Sequence, residues 1–180
     1  MTEYEKEYAK FFYTFSNMLK KYKKEYHTSI IFLCIGTSKI IGDSFGPLVG
    51  EKLKRLANDN KIIVVGDLSE NISAVNIDDK MQKIKSKYKN ALIISIDAAL
   101  SKKENIGKIK VYPYGIKIRK ALENTENKIG NLSIQAIVAS NYKKSIDNYL
   151  ELKQTPFSRI DYLSDITVNG INLAIKNSDV

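Results

Sequence analysis

The chain has 180 residues, 43% of them hydrophobic and 27% charged, with 29 Lys and Arg against 20 Asp and Glu for a formal net charge of +9. That length fits one domain, residues 1–180, with a single sizeable core, and no apolar run approaches the ~18–20 residues that cross a bilayer. The single cysteine, Cys34, excludes an internal disulfide and a cysteine zinc cluster, and the single histidine, His27, excludes a histidine-rich metal site.

The positive charge invites a nucleic-acid reading, but its distribution does not support one. The arginines are Arg55, Arg119 and Arg159, and the lysines are spread along the chain apart from Lys20 to Lys24. No basic stretch is interleaved with aromatics as a stacking platform requires, so a solvated lysine surface is expected and no specific nucleic-acid partner. The opening residues lack the basic-then-apolar order of a signal peptide, which makes the cytoplasm the expected location and the membrane no partner.

In chain order, residues 3–24 read as a helix. Tyr4, Tyr8, Phe11, Phe15, Met18 and Tyr22 recur at three- and four-residue steps, and Phe12 and Leu19 widen the stripe. Such a stripe needs cover, either by packing on the domain or at a homodimer contact. His27 precedes the first strand, where surface or capping duty is expected. Ser29 to Ile35 is an apolar run suited to a strand buried on both faces. A glycine loop with Gly36 and Gly42 leads to Asp43, and Gly46-Pro47 opens a helix running to about Ala57. Asn58 to Asn60 is a turn signal. Lys61 to Val65 is a second strand. An irregular stretch from Gly66 to Asn76 follows, with Val75 and Ile77 expected inward. Ile77, Met81, Ile84 and Tyr88 mark a helix, and Ala91 to Asp97 a third strand ending on an aspartate. Lys108 to Tyr112 alternates as an edge strand or hairpin arm does. Residues 113–130 read as a Lys-rich loop with a short helix near Lys120. Leu132 to Val138 is a further strand. Asn141 is a candidate cap for a helix with Ile146, Tyr149 and Leu150 inside. Ser158 with Asp161 resembles a capping box. It would open a last helix with Ile160, Leu163, Thr167, Ile171 and Ala174 on one face. Strands alternating with helices define the α/β class: a three-layer α/β/α sandwich with a mostly parallel sheet.

The chemistry follows from where the aspartates fall. Ligands of open α/β sheets bind outside the carboxyl ends of the strands, and the first and third strands each deliver an aspartate there, Asp43 and Asp97. Two close carboxylates cannot both ionise cheaply, so one keeps a proton. One group can then accept a proton from water while the other donates to a carbonyl oxygen, which is the acid–base pair that amide hydrolysis requires. Asp43 equally suits a helix N-cap. Gly36, Thr37 and Ser44 flank the pair and could orient water or substrate, or cap backbone groups. The sequence has no Gly-x-Gly-x-x-Gly, no Gly-Lys-Ser/Thr and no Gly-x-Ser-x-Gly. No cofactor is expected. Two carboxylates could hold Mg²⁺, but no further ligand is evident, so no metal is expected either.

At these residues the chain resembles the sporulation protein YyaC family, which is related to the germination protease GPR of spore formers. The resemblance is carried by Cys34-Ile-Gly-Thr37 and Gly42-Asp-Ser-Phe-Gly-Pro-Leu-Val-Gly50, then by Ile72-Ser-Ala-Val-Asn-Ile77 and Ile94-Ser-Ile-Asp-Ala-Ala-Leu100. It extends over about residues 29 to 175. It implies the phosphorylase/hydrolase-like fold shared with hydrogenase-maturation proteases, and an aspartic peptidase pair at Asp43 and Asp97. In the maturation proteases the corresponding acidic positions, with a histidine, bind nickel; here no histidine follows Asp97. The chain departs from the family pattern at Ala99-Leu100-Ser101 and at Tyr114 to Arg119. By resemblance the expected function is a spore-associated endopeptidase of the sporulating cell or spore, with small acid-soluble spore proteins as candidate substrates. The alternative is a non-catalytic binding or regulatory protein on the same scaffold.

Overall fold

The computed structural model describes residues 1–56, 61–118 and 127–178. Helix α1, Glu3–Tyr22, starts at a capping box in which the Thr2 side chain accepts from Glu5 N–H and the Glu5 carboxylate accepts from Thr2 N–H. Then follow β1 (Ser29–Cys34), a 3₁₀ turn (Ile41–Ser44), α2 (Phe45–Leu56), β2 (Ile62–Val65), α3 (Ile77–Lys87) and β3 (Ala91–Ser101). The chain continues with β4 (Ile109–Tyr112), β5 (Ile116–Ile118), β6 (Asn127–Ile129), β7 (Leu132–Ser140), α4 (Ser145–Gln154) and α5 (Phe157–Lys176). The turn expected at Asn58 to Asn60, the end of the helix at Ala57 and the short helix near Lys120 lie outside the described residues.

Among the described residues the main sheet has the order β2-β1-β3-β7-β4, with every pair parallel except β4 on β7. β1 lies between β2 and β3, and its alternation explains the layers. Ile30, Phe32 and Cys34 join a core under α1, α2 and α5, whereas Ile31, Leu33 and Ile35 join a second core with Ile77 and Ile84 of α3 and Ile116 and Ile129 of the β5–β6 hairpin. Both faces of β1 are therefore dry, as its continuous apolar run requires. The three-layer α/β/α class read from the sequence is the observed fold.

The first helix packs within the domain. Phe11, Phe15 and Leu19 are buried, and α1 lies on α5, with Gly170 opposite the Phe11 ring. Glu7 also accepts the Ile109 N–H at 2.7 Å, so α1 covers the sheet edge that β4 presents. The last helix buries Ile160, Leu163, Thr167, Ile171 and Ala174, the face expected from their spacing.

Several expectations are corrected. β3 does not end at Asp97 but continues to Ser101, because β7 pairs with it through Ser140. Val75 points to solvent, 95% exposed, and Ile72 fills the core in its place; the turn is set by Asn76, whose side chain accepts from Ser73 N–H and donates to Asn71 O. Ser158 lies inside α5, which is entered through Pro156, and Asp161 pairs with Lys52 instead of closing a capping box. Asn141 does not cap α4; its side-chain oxygen accepts from Asn148. Ile146, Tyr149 and Leu150 of α4 face outward.

Candidate active site

The strand order fixes where a site can form. From β1 the chain crosses through α2 to β2 on one side, then returns through α3 to β3 on the other. The helices α2 and α3 thus lie on opposite faces, and the loops diverge beyond the carboxyl ends of β1 and β3. This topological switch point is where open α/β sheets bind ligands.

The end of β1 opens the notch. Ile35 N–H still bonds Ile96 O, but Gly36 N–H turns away to Ile72 O. β3 continues alone beside β7, leaving Asp97, paired in register with Gln135, at the uncovered step. Gly36 has φ of +138°, and a Cβ there would stand 2.1 Å from the Asp43 carbonyl oxygen. Only glycine allows both the backbone conformation and this approach. The contact folds the 3₁₀ turn back so that Asp43 overhangs the end of β1. Gly46 likewise lets α2 start against the Ile35 carbonyl, from which its Cβ would be 2.0 Å away.

Asp43 is not a helix cap. Its carboxylate accepts the Thr37 N–H at 3.1 Å, across the loop, and its backbone carbonyl accepts the same N–H at 3.1 Å. Thr37 is in turn held by Asn71: the Thr37 hydroxyl donates to Asn71 Oδ1 at 3.2 Å, and Ser38 N–H donates there at 3.0 Å. The Asn71 amide donates to Asp67 O at 2.9 Å. Asp67 stands just past β2, buried, ion-paired with Lys54, and accepting from Ser69 N–H and Glu70 N–H. Burial pushes the Asp67 carboxyl up, but these donors outweigh it and hold it well below the ordinary range. Sequence reasoning left Gly66 to Asn76 as an irregular stretch and missed Asp67 and Asn71. The signal was present, since Gly66-Asp67 repeats at β2 the pattern of strand, glycine and aspartate already noted at β1.

The electrostatics set the two central carboxylates apart. Burial raises the Asp43 carboxyl from 3.8 to about 6, against the lowering effect of the Thr37 amide. Burial, with the neighbouring Asp43 charge behind it, raises Asp97 well above 3.8. The action of the Asp43 charge on Asp97 places the two groups in one electrostatic site. Both groups are thus pushed toward their protonated forms, Asp97 with the charge of Asp43 added to its burial. Among the described residues neither carboxylate has an ion-pair partner.

The flanking residues divide. Thr37 orients Asp43 through its amide. Gly36 supplies the close approach. The Ser44 hydroxyl donates to Ile41 O at 2.7 Å inside its own turn, and Ser44 is buried. Cys34 is buried with its thiol pushed up by desolvation, in the apolar role expected of it. His27 precedes β1 and so lies at the opposite, amino edge of the sheet, where its Nδ1 accepts the Lys24 N–H at 2.9 Å. The donor set at the switch point is two carboxylates, and the single histidine of the chain, His27, lies away from it. The described residues hold no group of three or more His, Cys, Asp or Glu arranged for a metal. Grooves of about 350 and 310 Å³ run along the outer seam of α1 and α5, past Tyr8 and Asn172 and past Phe12 and Asn177.

This architecture is a three-layer α/β/α sandwich. It superposes on the [NiFe] hydrogenase maturation protease HycI from Thermococcus kodakarensis KOD1 with a TM-score of 0.61, covering 91% of this chain and 99% of that one at 17% identity. The chain belongs to the family described as protein of unknown function (DUF1256), which matches residues 2–170. The match takes in α1 as well as the motifs that begin near residue 29. The Bacillus subtilis (strain 168) protein named uncharacterized protein YyaC is 31% identical over 145 residues, 80% of this chain and 68% of that one. Among the described residues no helix is long and apolar enough to cross a membrane.

Proposed function

We propose that the protein is an endopeptidase that cleaves a sporulation or spore protein with the Asp43–Asp97 pair. The observation that carries this reading is a pair of carboxylates at the switch point with raised pKa values, electrostatically coupled and unneutralised. The Asp43 carboxylate removes a proton from water as the oxygen attacks the scissile carbonyl carbon. The Asp97 carboxyl gives its proton to the carbonyl oxygen, forming a neutral gem-diol. Asp43 then passes its proton to the amide nitrogen as the C–N bond breaks, and Asp97 recovers one from a gem-diol hydroxyl. Both groups end as they began, and no cofactor enters the balance. Small acid-soluble spore proteins, in the cytoplasm of the sporulating cell or the spore, are the substrate class that the family resemblance supports.

The test is incubation of purified protein with such spore proteins across about pH 4 to 9, with products read by mass spectrometry. The reading expects discrete internal cuts, fastest between the two pair titrations and absent in the Asp97→Asn variant. Intact substrate at every pH would overturn peptide hydrolysis and leave a binding role for the same notch.

A further inference from the structure

Helix α4 is inside out. A surface helix turns its apolar stripe to the core, yet Ile146, Tyr149 and Leu150, at i, i+3 and i+4, are 59%, 46% and 43% exposed. The opposite face does the docking. Leu152 packs on the core, and Glu151 Oε2 accepts the Ser140 N–H at 3.4 Å. Tyr142, also exposed, stands just before the helix and is tied to it by Asn148: its N–H donates to Asn148 Oδ1 at 2.6 Å, and its carbonyl accepts from Asn148 Nδ2 at 3.1 Å. An exposed contiguous apolar patch of this kind marks an interaction site.

Two further observations say what the patch fits. The first is its position. α4 is seated on the turn that carries Asp43, since Gly42 lies so close beneath Leu152 that a Cβ would stand 2.8 Å from the Leu152 Cα and carbonyl oxygen. The second is charge. Lys143, Lys144 and Lys153 are exposed at the two ends of the stripe, whereas Asp147 and Glu151 are half-buried off its line. A second copy of the chain would bring the same lysines, and another +9, against these; like charges disfavour that contact, and acidic residues complement it.

We infer that Tyr142, Ile146, Tyr149 and Leu150, ringed by Lys143, Lys144 and Lys153, form a docking surface for an acidic polypeptide segment bearing apolar side chains, beside the aspartate notch. That the docked segment is delivered for cleavage rests on the peptidase reading; the binding itself does not.

The test uses the full chain and three labelled peptides of about twelve residues, read by fluorescence anisotropy. One mixes Leu, Glu and Ser, one carries Lys in place of Glu, and one carries Ser in place of Leu. The first is expected to bind at least about tenfold more tightly than either control, and added salt should weaken it. The double variant Ile146→Ser/Leu150→Ser, at exposed positions and with an unchanged melting curve, should lose about tenfold or more. Lys143→Glu/Lys144→Glu should weaken the acidic peptide and spare the basic one. Asp97→Asn should bind as the parent does. Binding without cleavage would support the surface while counting only against hydrolysis. Equal binding of all three peptides, or no effect of the double variant, would overturn the inference. So would a light-scattering dimer that the double variant dissolves, or binding to phosphatidylserine vesicles with none to peptides.

Discussion

Helix α2 is flanked by two carboxylate clusters treated in opposite ways. On its α5 side, Lys52 Nζ meets Asp161 at 2.6 Å, Asp165 at 2.7 Å and the Ser164 hydroxyl at 2.7 Å. Burial works to lower the Lys52 pKa, but the two carboxylates outweigh it and raise it. At its amino end the Asp43 charge adds to the burial that raises Asp97, and among the described residues no lysine pairs with either. The chain has lysine to spare, with 29 basic residues in all, and Asp67, a short way off, takes Lys54. On the peptidase reading proposed above, that uncompensated charge is the working chemistry of the site. Partly exposed ion pairs contribute little to stability, whereas unpaired, partly desolvated carboxylates cost stability and are kept where they act.

The sharpest way to break this contrast is to neutralise the unpaired side. Asp43→Asn or Asp97→Asn is expected to lower peptide hydrolysis by about 10²–10⁴ fold, with the circular dichroism spectrum unchanged. Parent-level activity in both variants would mean that the pair does nothing. Next in size is the scaffold beneath it. Gly36→Ala places a methyl against the Asp43 carbonyl at a φ that alanine avoids, and should cost about 2–4 kcal/mol in urea unfolding. A loss under half a kcal/mol would show that the turn is not held as described.

A subtler change removes the support of Asp43. Asn71→Ala frees Thr37 and Ser38 from their common acceptor, loosening the amide that favours the Asp43 carboxylate. Activity should fall about tenfold, and the acid limb of the pH–rate profile should move upward; a change in rate with no movement of the limb would assign Asn71 a purely structural part. Stability should move the other way in the Asp43→Asn protein. Folding raises this carboxyl from 3.8 to about 6, so protonation favours the fold. That contribution is complete below about pH 4 and is lost as pH rises through 6. The variant should therefore be more stable than the parent near pH 8, by about 1–2 kcal/mol after allowance for solvent screening, and equal to it near pH 4, read as Tm against pH. The paired cluster gives the smallest effect: Lys52→Met should change stability by no more than about 1 kcal/mol and leave activity untouched.

The sequence carried the sheet because its central strands are apolar runs that only a doubly covered position can use. Asp43 and Asp97 were legible because each follows such a run. Tertiary pairing was not legible. The extension of β3 past Asp97 depends on β7, and the inward place given to Val75 was taken by Ile72, which bridges to Ile35. The outward stripe of α4 was misread because periodicity reports amphipathicity but not which face the core takes. Capping chemistry misled twice, at Asn141 and at Ser158, since the same side chains that cap helices also bond one another in turns and stand inside helices.

The central claim is that Asp43 and Asp97 form one proton-sharing unit. ¹³C NMR titration of the two side-chain carboxyls, in the parent protein and in Asp43→Asn, measures this directly. The account predicts that Asp97 titrates well above the ordinary aspartate range in the parent and at a lower pH once the Asp43 charge is gone. Two independent titrations near 4, with Asp97 indifferent to the loss of Asp43, would contradict it.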